Sequence, residues 1–316
     1  MAMRHFVTGG AGFIGSHLVD RLLREPLDTV TVYDNLSSGK EEFIRHHFGE
    51  RRFRFVKGDL LDLPAVKEAL KGHDIVHHLA ANPDIRLGTA VPETDLKQGT
   101  LATFNLLEAM RETGVRKMAF SSSSVVYGEA EKIPTPEDYG PLVPISLYAA
   151  AKLGAEGLIT AYCHSFDMQC WIFRFANVIG PRSTHGVIFD FINKLRKNPA
   201  ELEILGNGMQ KKAYLTVGDC VDAMLFTIGH ANEAVNIYNL GCEDQVVVTR
   251  IAEIIREEMG LPDARFRFTG GERGWKGDVR AMLLSVDRLK ALGWKPSTTS
   301  EQAVRLAVRA GLGKGS

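Results

Sequence analysis

Tyr148 and Lys152 stand four residues apart in a stretch whose apolar spacing predicts a helix over Tyr148–Phe166, so both side chains share one face. A phenol titrates near pH ~10, too high for a base at neutrality; a nearby ammonium favours the phenolate and lowers that value. The pair alone is also what a surface helix carries. Ser123 lies 25 residues before Tyr148, in a serine run at the end of a predicted strand, where ligands of open α/β sheets sit. Its hydroxyl could share the proton of a reacting alcohol, although such runs also serve as polar turns.

A second cluster suits phosphate. Thr8-Gly9-Gly10-Ala11-Gly12-Phe13-Ile14-Gly15 satisfies G-x-G-x-x-G through Gly10, Gly12 and Gly15, and G-x-x-G-x-x-G through Gly9, Gly12 and Gly15. Glycines permit a tight turn and close backbone approach, and the following helix start offers unpaired N–H groups to a pyrophosphate. Asp34, 19 residues after Gly15, ends the next predicted strand, where a carboxylate accepts hydrogen bonds from an adenosine ribose. It also repels a 2′-phosphate, so the expected cofactor is NAD rather than NADP.

These groups need elements to hold them. Strands are predicted at His5–Thr8, Val30–Tyr33, Phe53–Val56, Ile75–Leu79, Met118–Ser121 and Cys170–Phe173, with helices at Phe13–Arg24, Lys40–His47, Ala65–Leu70, Thr94–Glu112 and Tyr148–Phe166. This alternation implies right-handed crossovers and a parallel sheet covered on both faces, a Rossmann-type doubly wound α/β fold. Beyond Asn177 the rhythm breaks at Gly180-Pro181-Arg182, Asn198-Pro199, Gly206-Asn207-Gly208 and 270–274. A smaller, discontinuous α/β substrate domain is expected there, facing the sheet. Residues 1–177 and 213–243 then form the dinucleotide domain and 178–212 with 244–316 the second. Tyr214–Val217 and Ile237–Leu240 read as strands that return to the first domain.

Composition excludes several classes. Lys plus Arg and Asp plus Glu both number 38, so the net charge is zero, and no basic run interleaved with aromatics points to nucleic acid. No window reaches 18 apolar residues and no signal-peptide pattern opens the chain, so a cytoplasmic protein with no membrane partner is expected. Cys163, Cys170, Cys220 and Cys242 lack metal-ligand spacing and are expected to be reduced, mostly buried thiols. His77-His78 lies inside a strand and is read as structural, so no metal is expected.

Taken together, Thr8–Gly15, Asp34, Asp59-Leu60, Leu79-Ala80-Ala81, Ser121–Gly128, Tyr148 with Lys152, and Arg174–Pro181 resemble the extended short-chain dehydrogenase/reductase superfamily. Within it the chain is similar to the nucleotide-sugar epimerase/dehydratase branch, on the side of the UDP-hexose 4-epimerases, from about Arg4 to the Leu-Gly-Trp-Lys-Pro at 292–296. The resemblance implies a catalytic set of Tyr148, Lys152 and Ser123. It implies NAD contacts from Gly9, Gly12, Phe13, Ile14, Gly15, Asp34, Asn35, Ser37, Ser38, Gly39, Asp59, Leu60, Leu79, Ala80, Ala81, Ser121, Ser122, Tyr148, Lys152 and Phe175. For a UDP-sugar it implies Ser123, Tyr148, Asn177, Gly186, Val187, Ile188, Gln210, Lys212, Tyr214, Arg273 and Asp278.

Dehydratases of the branch carry an Asp-Glu pair just before Val-Tyr-Gly, and decarboxylases a glutamate; here Ser124 and Val125 stand there, and neither can act as an acid or base near neutrality. Epimerisation at C4 through a transient 4-ketose, with Tyr148 as base, is the implied activity. A reductase or dehydrogenase with exchangeable NAD(H) is the alternative, and a non-catalytic dinucleotide sensor a third. Departures from the branch pattern are Gly99 for an asparagine, Lys212 for an arginine, Trp275 for a second arginine with Arg273 two residues away, and Met282 where sugar size is limited. The resemblance also implies a homodimer through the two long helices, with Leu101, Phe104, Leu107, Met110, Leu153, Leu158 and Tyr162 as the apolar residues in question.

Overall fold

The computed structural model describes residues 2–271 and 281–314. Two compact units make up the chain: Met1–Val126 with Pro144–Arg174 and Met224–Tyr238, and Tyr127–Val143 with Phe175–Ala223 and Asn239–Ser316.

The first unit is built on a seven-stranded sheet of β1 (Arg4–Thr8), β2 (Thr29–Asp34), β3 (Phe53–Lys57), β4 (Ile75–His78), β5 (Lys117–Ser123), β6 (Gln169–Phe175) and β7 (Val235–Leu240), in the order β7-β6-β5-β4-β1-β2-β3. The pairs β1–β2, β1–β4, β2–β3 and β4–β5 are all parallel. Helices α1 (Phe13–Leu22), α2 (Leu63–Leu70), α3 (Ala102–Thr113) and α4 (Leu147–Phe166) supply crossovers. All of β4 is buried, as a strand covered on both faces must be. Phe6, Tyr33, Leu70, Leu106, Leu107, Met110, Phe120, Ile159 and Ile172 form one continuous core. Each large side chain buried there contributes about 1.5–3 kcal/mol. Strand order reverses between β1 and β4, which opens a crevice at their carboxyl ends.

Two helical expectations change in detail. Lys40–His47 is not one helix but two 3₁₀ turns, Glu41–Phe43 and Arg45–His47. They fold about the fully buried Ile44, because so short a run has too few hydrogen bonds to propagate an α-helix. The Thr94–Glu112 helix widens into a π turn at Leu96–Leu101 before α3. There a Cβ on Gly99 would stand 2.9 Å from the Ala151 Cβ, and Thr100 Oγ1 donates to the Ala151 carbonyl at 3.3 Å. Gly99 therefore replaces a polar side chain by direct contact with α4.

In the second unit Tyr214–Thr216 does not return to the large sheet. It pairs in parallel with Asn177–Ile179, Tyr214 opposite Asn177. Short strands whose ends are set by nearby turns pair with the nearest free edge, which periodicity cannot identify. Val235–Leu240 does join the large sheet, as its edge strand β7. Lys211–Lys212 lies between Val246–Val247 and Ala281–Met282, and Glu201–Ile204 pairs with Arg265–Phe268. Helices Val187–Lys197, Val248–Met259 and Ser300–Gly311 close over Phe191, Leu195, Leu202, Ile254 and Val308. The 127–143 segment belongs to this unit through Thr135, whose N–H donates to Leu283 at 2.8 Å and whose carbonyl accepts from Ser285 at 2.9 Å.

All four cysteines are free and buried. Among the described residues no helix is long and apolar enough to cross a membrane.

Candidate active site

The phosphate loop leaves β1 at Thr8. Gly9 takes φ +69°, and a Cβ on it would lie 2.7 Å from the Ala80 nitrogen. Only glycine lets the carboxyl ends of β1 and β4 approach this closely. Gly12 donates to the Gly9 carbonyl at 3.0 Å and caps α1 without a side-chain acceptor, and no acidic residue sits in the first turn. The first-turn N–H groups of Phe13, Ile14 and Gly15 have no partner within the helix, so the helix start can receive an anion. Replacing Gly9 with Ala is expected to weaken NAD binding at least ~10-fold and lower Tm, since a left-handed φ alone costs a Cβ-bearing residue about 1–2 kcal/mol. NAD titration and thermal melting check this.

Asp34 ends β2 beside the loop. Its Oδ2 accepts the Ala11 N–H at 3.0 Å and its Oδ1 the Leu36 N–H at 2.8 Å. Burial raises its pKa while these two donors oppose the shift. A carboxylate has about four acceptor positions, so ribose hydroxyls can still bind. Asn35 Nδ2 donates to Asp59 Oδ2 at 3.1 Å, and Asp59 Oδ1 accepts from the Leu61 N–H at 2.9 Å. The Asn35 side chain in turn accepts from the Ser37 N–H at 2.9 Å, and Lys40 N–H returns to the Ala11 carbonyl at 2.9 Å. The Ser37-Ser38-Gly39 turn is thus folded back onto the phosphate loop. Leu60 is buried, and Leu79, Ala80 and Ala81 continue β4 along the same crevice. A glycine-walled turn, an uncapped helix start and a ribose-facing carboxylate together fit a dinucleotide.

At the end of β5, Ser121 and Ser122 are buried and Ser123 half-buried. Lys152, on α4, is buried and donates from Nζ to the Ser121 carbonyl at 2.6 Å. Its ammonium lies 4.8 Å from the Phe120 ring centre and 5.8 Å from that of Tyr148. The spacing of four thus does bring both residues to one place. Burial depresses the Lys152 pKa to about 8, against the pull of Glu156 and Asp95. Half-buried Tyr148 is pushed up by burial, and the charge on Asp95 adds to that.

Three groups that spacing did not single out support the pair. Glu156, one turn beyond Lys152, is buried against Arg174, which donates from Nε at 3.1 Å and Nη2 at 2.8 Å, and it also accepts from the Ser122 hydroxyl. Its i+4 position from Lys152 was the available signal. Asp95, buried, accepts from Asn82 Nδ2 at 3.0 Å, and burial raises its pKa. No local pattern marks it.

His77 and His78 point to opposite faces of β4, as successive strand residues do. His78 lies between Thr8 Oγ1 at 2.8 Å and Thr103 Oγ1 at 3.0 Å, with burial pressing its pKa to about 3, and His77 Nε2 meets His5 Nδ1 at 3.0 Å. The two cannot chelate one ion. Ser124 is buried and Val125 partly so, which leaves no carboxyl at either position.

The second unit gathers another group. Asn177 Nδ2 donates to the Ala213 carbonyl at 3.1 Å, next to buried Tyr214, whose N–H donates to Ser300 Oγ at 3.0 Å. Gly186, at φ +97°, begins the helix Val187–Lys197 without a side-chain cap, so the N–H groups of Val187 and Ile188 have no partner within the helix, with Asp190 in the same first turn. Ile188 also packs into this unit's core. Gln210 is buried, Lys212 is half-buried in its short strand, and Phe175 is buried at the end of β6. Arg273, Trp275 and Asp278 lie outside the described residues.

The model of the NAD dependent epimerase/dehydratase family matches residues 5–241. A UDP-glucose 4-epimerase of Mycolicibacterium smegmatis is 33% identical over 314 residues, covering 97% of each chain. A crystal structure of a UDP-galactose 4-epimerase is 43% identical, covers 99% of both chains and superposes with a TM-score of 0.88. A dTDP-glucose 4,6-dehydratase from Streptomyces venezuelae, solved with NAD bound, is 26% identical, covers 98% of this chain and 96% of its own, and reaches 0.90. Both epimerases and dehydratases therefore share this fold, and the cofactor expected from Asp34 is the one in the family's name. With its sheet order, its glycine turn and its Tyr148–Lys152 pair accounted for, the chain belongs to the NAD dependent epimerase/dehydratase family.

Proposed function

We propose that this protein is a UDP-hexose 4-epimerase with Tyr148 as the general base. The observation that carries this reading is Lys152, held by the Ser121 carbonyl beneath Tyr148, where Ser124 and Val125 leave no acid for dehydration. NAD, when bound, accepts hydride from the sugar and returns it. The chain's residues handle the proton: Tyr148 takes it from the C4 hydroxyl and gives it back, and Ser123 bridges the two oxygens. Lys152 keeps a positive charge under the phenol. Burial and Asp95 oppose the phenolate, and a positive charge beside the ring, such as the Lys152 ammonium, favours it. Asn177, Gly186, Val187, Ile188, Gln210, Lys212 and Tyr214, with Arg273 and Asp278, are the proposed contacts of the uridine diphosphate.

The test is conversion of UDP-galactose to UDP-glucose by purified protein supplied with NAD. No conversion sinks the proposal, and NADH appearing in step with substrate loss reassigns the protein as a dehydrogenase. A pH dependence follows from Lys152. Its ammonium is retained below about pH 8 and lost above it, so the contribution of that charge to kcat is expected to fall as pH rises through 8. The depressed pKa also means that the folded state holds fewer protons than the unfolded between about 8 and the ordinary lysine value near 10.4, so this group's penalty on stability is relieved as pH rises through that window.

The proposed assembly is a homodimer. Leu107 and Met110 are spent in the chain's own core, whereas Leu96, Leu101, Phe104 and Leu147 remain exposed. Light scattering is expected to give twice the chain mass, and Phe104→Glu the chain mass.

A further inference from the structure

We propose that Asp20, His46 and His47 of the first unit form a binding site for a divalent late first-row transition metal, typified by zinc. Asp20 lies on α1, and the histidines come from the 3₁₀ turn Arg45–His47 between β2 and β3. His46 Nε2 and His47 Nε2 each stand 2.8 Å from the same atom, Asp20 Oδ1, and the three atoms all lie within 4.8 Å of one another. Successive residues of a 3₁₀ turn project about 120° apart. Here both rings instead bend toward one point, with centroids 4.0 Å apart and planes at 45°.

The protons make the case sharper. His47 Nδ1 is 2.7 Å from Glu50 Oε1, so both nitrogens of this ring face carboxylate oxygens. A neutral imidazole carries one N–H, which leaves one lone pair against a carboxylate. A cation bound at Nε2 removes that conflict: Nδ1–H donates to Glu50 and the Nε2 lone pair becomes a ligand. This is the carboxylate–histidine–metal arrangement that fixes tautomer and ring orientation in metal sites. Two imidazoles and one carboxylate suit zinc and its neighbours, whereas calcium and magnesium require oxygen shells. Tetrahedral zinc with bonds of about 2.0–2.1 Å sets donor atoms about 3.3 Å apart, so each contact must open by about half an ångström. His46, with a side chain 49% exposed, can make that movement and admits the ion, while His47, 10% exposed, is backed by the Phe53 ring at 5.5 Å. Bound metal would tie the β2–β3 connection to α1.

Titration calorimetry of the metal-stripped full chain with zinc chloride at pH 7.5 tests this. One zinc per chain is expected, with affinity about 100-fold lower in His46→Ala and His47→Ala. Glu50→Gln is expected to weaken binding about 10-fold, as loss of an orienting carboxylate does. His230→Ala, at another exposed histidine, leaves it unchanged. Saturating zinc raises the Tm of the parent chain but not of His46→Ala, which keeps the test valid should His47→Ala fold poorly. Absence of zinc binding overturns the proposal. Binding that survives His46→Ala, or magnesium binding as strongly as zinc, overturns it as well.

Discussion

Tyr148→Phe is expected to lower kcat by about 10²–10⁴-fold, the usual contribution of a positioned proton-transfer group, while UDP and NAD affinities stay within a few-fold. The ring stays and only the hydroxyl is lost, so the packing against Lys152 persists, with the ammonium 5.8 Å from the ring centre. Single-turnover kinetics with UDP-galactose, alongside equilibrium binding of UDP, separate the two effects. A variant of unchanged kcat would move the base elsewhere, with Ser123 the first to test. The result also bears on the electrostatics. Burial and Asp95 both disfavour the phenolate.

Glu156→Ala should be the most damaging single change outside the glycine turn. It removes the buried carboxylate that takes two hydrogen bonds from the Arg174 guanidinium, whose side chain is only 4% exposed, and it removes the acceptor of the Ser122 hydroxyl. Breaking a buried pair in this way costs about 3–5 kcal/mol. Chemical denaturation should show that loss, and Glu156→Ala combined with Arg174→Met should recover part of it, since the buried cation that Glu156 balanced is then gone. A functional signature accompanies the stability loss. Glu156 holds the Lys152 pKa up against burial, so its removal should shift the alkaline fall in kcat below pH 8. A role confined to packing would leave that limb in place.

Much of this was legible in the residues. The glycine turn, Asp34 and the strand–helix rhythm are local signals. A phosphate-binding turn must directly join a strand to a helix, and a ribose-binding acid must end the next strand, so linear spacing carries their geometry. Tyr148 and Lys152 were legible for the same reason, since one helix face holds both. Glu156 carried a usable sign, one turn further along that face, and the two 3₁₀ turns at 41–47 were obscured because their apolar pattern matches a helix too short to persist.

Asp95, Gly99 and the strand at 214–216 belong to the other class. Asp95 reaches Tyr148 and Lys152 through a field set by burial, which no neighbour in the chain announces. Gly99 makes sense only against Ala151, 52 positions on. The partner of Tyr214 is Asn177, chosen by where turns leave an open edge. The convergence of Asp20, His46 and His47 was equally invisible, with 26 positions between the acid and the first histidine. Covalent neighbours and helix faces fix short-range geometry, so the sequence alone determined the sheet, the glycine turn and the Tyr148–Lys152 pair. Burial and the shifts it imposes on Lys152 and Tyr148 depend on segments far apart in the chain, and only the folded chain decides those.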